Sequence, residues 1–418
     1  MTIPADLAQL RTIDGADVYK AGRLAGYLRR ERDDVEFVYA EPYLADSEAP
    51  RVAFTLPKRA GIFRATGGSV PSFFAGLLPE GLRLTAVTTA ARTSEDDHFS
   101  ILLAVGADTI GDVQVLPAGT LPIDPKPLFD QTDTTSADFT ALFTRATSTD
   151  ADDLDRTALP GIQIKVSAQM ISTPISSTRG PAILKLNPPE YPLLVENENF
   201  FLDMAAACGI RVPSHQLAVD RYGRTALFVD RFDRAVANGR IRRLAQEDAC
   251  QVLGRYPAAK YRITLQEAIK GLADAVTEGR GSRPLATLQM LEVAAFSYLI
   301  GNGDLHGKNL SIRQNLDAIW EVTPAYDLLS TQPYLSWNDP MALSLYGRDG
   351  KLTYRWWAEA AIRLGVTTRA INRSLARIID ASEPWIDRVG EIGFDAETTR
   401  HLAALITERR KELQQRPT

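Results

Sequence analysis

The chain has 418 residues, of which 45% are hydrophobic and 24% are charged, a composition that excludes a disordered or fibrous protein. Its 47 basic and 52 acidic residues give a net charge of −5, which argues against a protein that coats nucleic acid by itself. The start of the chain has no leader-like pattern, and no apolar run reaches membrane-spanning length. We therefore expect a cytoplasmic protein with no membrane partner, built from two or three subdomains.

Residues 1–118 are predicted to form an N-terminal α+β subdomain. Two strands flank the turn at Gly22, and alternating apolar residues predict further strands. Apolar segments closed by glycine or arginine predict helices. The further strands are placed at 35–39 and 51–56, and the helices at 71–78 and 81–92.

Residues 119–156 are rich in Pro, Thr, Ser and Asp and are predicted to be a linker with one short helix at 138–145. Residues 157–245 are predicted to form a small β-containing lobe. Its expected elements are strands at 182–186, 216–219 and 226–229 and a helix at 196–208 that ends at Gly209.

Residues 246–418 have mainly helical periodicity and are predicted to form a larger, all-helical lobe. The expected helices lie at 288–300, 356–364, 368–380 and 396–415. Cys208 and Cys250 fall in apolar helical contexts without metal-ligand spacing, so we expect both to be buried.

The segment 300–309, directly after an apolar helix, contains glycines, an acid and an amide. Asp304 and Asn309 have the spacing of the kinase loop in which Asp accepts the substrate proton and Asn holds magnesium. Asp327 follows a predicted hairpin through 310–322, where a kinase places its metal-binding Asp. Each residue alone equally suits a turn or a helix cap, but the ordered set favours a metal-assisted phosphoryl-transfer site.

Phosphate chemistry also requires a backbone cradle and a cation upstream. Gly161, Gln163 and Lys165 form a short turn that could contact ATP. Lys185 lies on a predicted strand, and Glu198 on the next helix is its expected ion-pair partner, with Glu196 as the competing choice. A snorkelling edge-strand lysine is the structural alternative for Lys185.

Four more residues are candidates for nucleotide contact. Asp230 and Phe232 follow a strand and could form an adenine-binding hinge, although edge-strand charge patterning explains the pattern equally well. His306 and Lys308 are predicted to support the loop around Asp304 or to contact phosphate. ATP and Mg²⁺ are therefore the expected ligands.

The sequence resembles the HipA-type serine/threonine kinase toxins over most of its length. The matching segments are 160–165, 183–186, 196–200, 229–234, 246–248, 301–309 and 324–327, and in the N-terminal part 22–26, 78–81 and 111–113. The resemblance implies an α+β, two-lobed protein-kinase-like fold with an additional N-terminal β-rich subdomain. It also implies a toxin that phosphorylates a cytosolic protein, plausibly an aminoacyl-tRNA synthetase, and arrests growth.

The same resemblance implies a small HipB-like helix-turn-helix antitoxin that brings the complex to operator DNA. The family often has an autophosphorylated serine before the glycine turn, where this chain has Ala158. Thr157 and Ser167 are the alternative acceptors, unless autophosphorylation is absent or the alanine replaces a natural serine.

Three other functions remain open from the sequence. The first is a small-molecule kinase of the aminoglycoside or choline type. The second is a catalytically silent co-repressor that acts with a DNA-binding antitoxin. The third is a metal-dependent phosphohydrolase with Asp304, His306 and Asp327 as ligands, which leaves Lys185 and the glycine turn without a role.

Overall fold

The computed structural model describes residues 6–122, 136–146, 171–177, 180–188, 190–237, 239–335 and 337–414. The described residues fall into an N-terminal region (6–122), a small lobe (136–243) and a helical lobe (246–414). Within them, no helix combines the length and the apolar character that crossing a membrane requires.

The N-terminal region is built on a five-stranded antiparallel sheet in the order β4-β3-β2-β1-β5. Its strands are β1 (Gly15–Lys20), β2 (Arg23–Glu31), β3 (Asp34–Tyr39), β4 (Phe63–Ala65) and β5 (Val113–Pro117). Burial alternates along β3, which confirms the predicted strand there. A Cβ on Gly26 would lie 2.6 Å from the Phe37 ring, so the close pairing of β2 with β3 needs glycine at this position.

Four helices pack with this sheet. They are α1 (Glu41–Ala45), α2 (Ser72–Ala75), α3 (Gly81–Ala90) and α4 (His98–Val105). Helix α1 packs against β2 and α4 against β5, while α2 and α3 pack on α4. The predicted helix at 71–78 is shorter than expected, whereas α3 matches its prediction to within two residues. The aromatic rings of Phe37, Phe74 and Phe99 are fully buried between sheet and helices and form the centre of this core.

The prediction of a strand at 51–56 is wrong. Only an isolated bridge between Ala53 and Leu56 occurs there. The backbone N–H of Val52 donates to the Tyr39 hydroxyl at 2.8 Å, and that of Phe54 donates to a carboxylate oxygen of Glu247 at 3.0 Å. Because side chains accept these donors, the segment does not join a strand ladder.

The small lobe contains a four-stranded antiparallel sheet in the order β6-β7-β9-β8. Its elements are α5 (Phe139–Ala146), β6 (Ile171–Ser177), β7 (Gly180–Leu186), α6 (Leu194–Ala207), β8 (His215–Val219) and β9 (Thr225–Asp230), followed by the hairpin of β10 (Arg234–Ala237) and β11 (Arg240–Arg243). The predicted strands and the helix at 196–208 are confirmed. Gly209 has a φ of 74° and ends α6 as expected.

The helical lobe has six helices among its described residues. They are α7 (Ala249–Val252), α8 (Leu265–Glu278), α9 (Arg283–Ile300), α10 (Tyr354–Arg363), α11 (Thr368–Ile386) and α12 (Ala396–Leu413). Helix α9 is apolar because it is buried on several sides, including Met290, Phe296 and Leu299. Cys208 and Cys250 are both buried, as predicted.

The prediction of an all-helical lobe needs one correction. A three-stranded antiparallel sheet lies in it, formed by β12 (Gln246–Asp248), β13 (Ser311–Gln314) and β14 (Trp320–Val322). Strands β13 and β14 are the hairpin that was predicted through 310–322. The addition of β12 could not be predicted, because its three residues pair with a strand far away in the sequence.

The N-terminal region packs directly on both lobes. Arg231 contacts Asp108 at 3.0 Å, and the backbone N–H of Gly111 donates to Asp233 at 3.0 Å. All four positions are buried or nearly so. Because buried charges need partners, these contacts tie the N-terminal region to the end of the small-lobe sheet.

Candidate active site

The segment that follows α9 folds back on itself and brings Asp304 and Asn309 together. It begins at Gly301, whose φ of 75° turns the chain sharply at the helix end. The side-chain oxygen of Asn302 accepts the Asp304 N–H at 2.9 Å, and the Asn309 side-chain amide donates to the Asp304 carbonyl oxygen at 3.1 Å. Asp304 and Asn309 are both buried. We call residues 301–309 the catalytic loop, after the role that the sequence predicts for Asp304.

Tyr261, which sequence reasoning missed, donates its phenolic O–H to Asp304 Oδ1 at 2.7 Å. It lies just before α8, and 43 positions separate it from Asp304, so no local pattern could have identified it. Burial, together with the charge of Asp304, raises the pKa of Tyr261 above its usual value. The phenol therefore stays protonated and keeps the Asp304 carboxylate in one orientation.

Lys185 lies on β7 and its ammonium contacts two carboxylates. Its Nζ lies 2.6 and 2.8 Å from the two Glu198 oxygens and 2.6 Å from Asp327 Oδ1. This confirms the predicted pair with Glu198, while Glu196 instead accepts the side-chain N–H of Asn187. Burial lowers the pKa of Lys185, but the charges of Asp327 and Glu198 more than offset this, so the pKa lies above its usual value.

Asp327 follows β14 in irregular chain and has a φ of 53°, a conformation that non-glycine residues rarely adopt. Its carbonyl oxygen accepts the side-chain N–H of Asn302 at 3.1 Å. Asn302, itself part of the catalytic loop, thus connects the backbone of Asp304 with the Asp327 segment, a role that sequence reasoning missed. Its place between two glycines was visible, but a lone amide there does not reveal its two partners.

His306 and Lys308 support the catalytic loop. His306 is fully buried, and its Nδ1 accepts the Lys308 backbone N–H at 3.3 Å. Burial and the Lys260 charge hold the pKa of His306 well below its usual value, so the imidazole is neutral near pH 7. The Lys308 ammonium is buried against Glu80, so its contacts favour loop support over phosphate contact.

The hinge candidates are arranged differently from each other. Asp230 ends β9, and its backbone N–H donates to the Ser214 carbonyl at 2.8 Å. The Phe232 ring lies 5.6 Å from the Tyr326 ring, beside the segment of Asp327. Five further candidates lie outside the described residues: Thr157, Gly161, Gln163, Lys165 and Ser167. Ala158, at the position of the family's serine, lies outside them as well.

The site thus combines four features from distant parts of the chain: a strand lysine, a helix glutamate, a loop acid with a nearby amide, and a second acid after a hairpin. A family model described as the HipA-like C-terminal domain matches residues 157–386, more than half of the chain. The chain belongs to the HipA family. A second model, described as the HipA N-terminal domain, matches residues 16–116, so both halves of a HipA protein are represented.

Relatives agree with this assignment. Y4mE of Sinorhizobium fredii is 31% identical over 419 residues, which cover 96% of this chain and 98% of that protein. The serine/threonine-protein kinase toxin HipA of Shewanella oneidensis is 27% identical over 307 residues, which cover 67% of each chain.

A solved structure shows the same fold. It is the Shewanella oneidensis toxin–antitoxin complex of HipA, HipB and operator DNA, with a TM-score of 0.74, 21% identity, and coverage of 95% of this chain and 96% of that one. The predicted fold class, two lobes with a β-rich N-terminal region, is therefore confirmed.

Proposed function

We propose that this protein is an ATP-dependent serine/threonine protein kinase and the toxin of a HipBA-like toxin–antitoxin pair. The observation that supports this best is the contact of Lys185 with both Glu198 and Asp327, next to the loop of Asp304 and Asn309. Protein kinases use this combination of strand lysine, helix glutamate and loop acids to bind ATP and transfer its terminal phosphoryl group.

In the proposed reaction, Asp304 accepts the proton of a protein hydroxyl as the oxygen attacks phosphorus. Tyr261 keeps that carboxylate directed, because its O–H donates to one of the two oxygens. Lys185 remains protonated and binds the α- and β-phosphates. The transferred group leaves ADP behind.

Asn309 and Asp327 would hold magnesium, since amide and carboxylate oxygens are the hard ligands that this ion prefers. When bound, the ion supplies neutralisation of phosphate charge. Asn302 contributes by fixing the two segments to each other, through its bonds to the backbone of Asp304 and of Asp327.

The partners follow from the family. A HipB-like helix-turn-helix antitoxin would supply most of the operator DNA contacts, in keeping with the net charge of −5 on this chain. The substrate would be a cytosolic protein, plausibly an aminoacyl-tRNA synthetase. Thr157 and Ser167 are the proposed acceptors if the enzyme phosphorylates itself.

The deciding experiment compares the parent protein with the Asp304→Asn variant. Mg-ATP binding is measured by calorimetry, and phosphate transfer is measured with radiolabelled ATP on a lysate of cells that lack the toxin gene. We expect both proteins to bind Mg-ATP, and we expect transfer by the variant to fall by about three orders of magnitude. Asp317→Asn, an exposed acid in the turn between β13 and β14, is the matched control and should retain full transfer.

The outcomes separate the competing functions. Transfer to a small alcohol or aminoglycoside, with none to protein, would indicate a small-molecule kinase. Absence of Mg-ATP binding in the parent protein would indicate a silent co-repressor. Phosphoproteomics after brief expression, with and without co-expression of any small open reading frame next to the gene, would identify the protein target and test the proposed antitoxin.

A further inference from the structure

We propose that Glu80, in the N-terminal region, is a positioning residue that holds the catalytic loop in its active arrangement through Lys260 and Lys308. The inference rests on the proposed kinase function and adds to it a required part that lies outside the two lobes.

Glu80 directly precedes α3 and points into the helical lobe. Its Oε2 lies 2.5 Å from the Lys260 ammonium, and its Oε1 lies 2.5 Å from the Lys308 ammonium. All three side chains are at most 8% exposed. One carboxylate thus bridges two buried cations, and each oxygen serves one of them.

Each lysine is the chain neighbour of a residue at the site. Lys260 immediately precedes Tyr261, whose O–H orients Asp304. Lys308 immediately precedes Asn309, which closes the catalytic loop onto the Asp304 carbonyl. The Glu80 bridge therefore fixes both supports of Asp304 at once.

A backbone bond ties the two lysine segments together. The N–H of Gly307 in the catalytic loop donates to the Lys260 carbonyl at 3.0 Å. Lys308 also donates to the Gly76 carbonyl at 3.4 Å, so the loop has a second contact with the N-terminal region. The loop is consequently braced from outside the lobe that contains it.

The charge arrangement explains why a carboxylate is needed. Without it, two buried ammonium groups would face each other without the carboxylate that contacts both, which favours movement of one of them toward water. Either movement would displace Tyr261 or Asn309 from its partner. The charges of Lys308 and Lys260 outweigh burial and lower the pKa of Glu80 to about 2, so the Glu80 carboxyl is ionised at neutral pH.

A purely structural role predicts a different result from a positioning role. Loss of a structural ion pair lowers the melting temperature but leaves kcat unchanged wherever the protein is folded. Loss of a positioning residue lowers kcat in the folded protein by a larger factor than it lowers Mg-ATP affinity. Asn309, one of two proposed magnesium ligands, shifts, but Lys185 keeps Glu198 and Asp327 as its partners.

The test measures the melting temperature of three variants. It also measures their kcat and Mg-ATP dissociation constant, at a temperature well below all the melting temperatures. Glu80→Gln removes the charge, and Glu80→Asp keeps the charge but shortens the side chain so that it cannot reach both lysines. Asp112→Asn is the matched control, because Asp112 forms an equally buried pair with Lys20 inside the N-terminal region, 2.7 Å long.

We expect kcat to fall at least about tenfold in Glu80→Gln and to a smaller extent in Glu80→Asp, with the Mg-ATP dissociation constant rising by a smaller factor than the fall in kcat. Asp112→Asn should have a lower melting temperature than the parent, with kcat and the Mg-ATP dissociation constant unchanged. Adding Lys308→Gln to Glu80→Gln should cause little further loss of kcat, since both changes act through one loop.

An active parent protein combined with a Glu80→Gln variant of normal kcat would overturn the inference and leave the kinase function standing. A parent protein that neither binds Mg-ATP nor transfers phosphate would overturn the kinase function instead. Hydrogen exchange of the 301–309 backbone then still decides whether Glu80 orders the loop, because exchange should rise in Glu80→Gln and not in Asp112→Asn. If Glu80→Gln fails to fold, Lys308→Met, which keeps the Glu80–Lys260 pair, is measured in its place.

Discussion

The phenolic O–H of Tyr261 donates to the Asp304 carboxylate across 2.7 Å, although the two residues belong to different segments of the helical lobe. A carboxylate on a loop can rotate about its side-chain bonds, and a bond to one oxygen restricts that rotation. The second oxygen is then presented in a fixed direction. In a reaction that depends on placing a hydroxyl in line with a phosphoryl group, such orientation contributes to the rate.

The Tyr261→Phe variant should therefore have lower kinase activity and an unchanged affinity for ATP. We expect kcat for phosphate transfer to fall about tenfold, with the Mg-ATP dissociation constant unchanged, because phenylalanine keeps the packing and removes only the donor. Tyr256→Phe, at a more exposed tyrosine of the same segment, is the control. Normal kcat in Tyr261→Phe would show that Asp304 is oriented without it.

Glu198→Gln should impair ATP use because Lys185 loses its bidentate partner. The lysine would then pair with Asp327 alone, and we expect kcat/KM for ATP to fall about 10- to 100-fold. Glu196→Gln is the matched control on the same helix, since Glu196 contacts Asn187 instead. Equal losses in the two variants would contradict the assignment of Glu198; steady-state kinetics at varied ATP separates the cases.

Gly303→Ala should disrupt the catalytic loop. A Cβ at this position would lie 1.7 Å from Asp339 Oδ2, far inside contact distance, so the loop or the Asp339 segment must shift. We expect a melting temperature several degrees lower and phosphate transfer reduced more than tenfold. Gly350→Ala, where an added Cβ meets nothing within 4 Å, should behave like the parent protein in both measurements.

Stability should depend on pH through Glu247, which accepts the Phe54 N–H where the N-terminal region meets the helical lobe. Burial raises the pKa of Glu247 to about 8, and the charge of Lys20 offsets this only in part. The unfolded chain has a pKa near 4.3 at this residue. Between these values the folded state holds a proton that the unfolded state has released, so the free energy of unfolding falls as pH rises, by at most about 1.4 kcal/mol per pH unit.

Glu247→Gln removes this titration and keeps an oxygen acceptor for Phe54. We expect the variant to melt at a higher temperature than the parent at pH 8 and the gain to shrink toward pH 5. Thermal unfolding at pH 5, 6, 7 and 8 measures it, with the largely exposed Glu278→Gln as control. If the difference in melting temperature between parent and variant is the same at all four pH values, the assigned titration of Glu247 is wrong.

The sequence predicted those parts of the site that depend on local order. A lysine on a strand and a glutamate on the following helix meet because β7 and α6 are consecutive and pack together, so Lys185 and Glu198 could be paired in advance. Asp304 and Asn309 could be grouped for the same reason, since both lie in one turn after α9.

Tyr261 and Glu80 could not be predicted, because their partners are set by how segments far apart in the chain pack together. Glu80 and Lys308 are separated by 228 positions, and neither residue belongs to a periodic pattern. The error at 51–56 has a related cause. Alternating apolar residues indicate that one side of a segment is buried, but they do not reveal whether a neighbouring strand or the Tyr39 hydroxyl accepts its hydrogen bonds.

Because Arg231 of the small lobe contacts Asp108 of the N-terminal region, we expect the two parts to be difficult to express as separate proteins. A polypeptide that starts after residue 122 would retain both lobes, but Lys260 and Lys308 would lose Glu80, and Arg231 would lose Asp108 and keep only Asp233. Each part expressed alone would expose the surface that is buried between them in the full chain, so we expect it to aggregate. Co-expression of the two parts should yield a heterodimer.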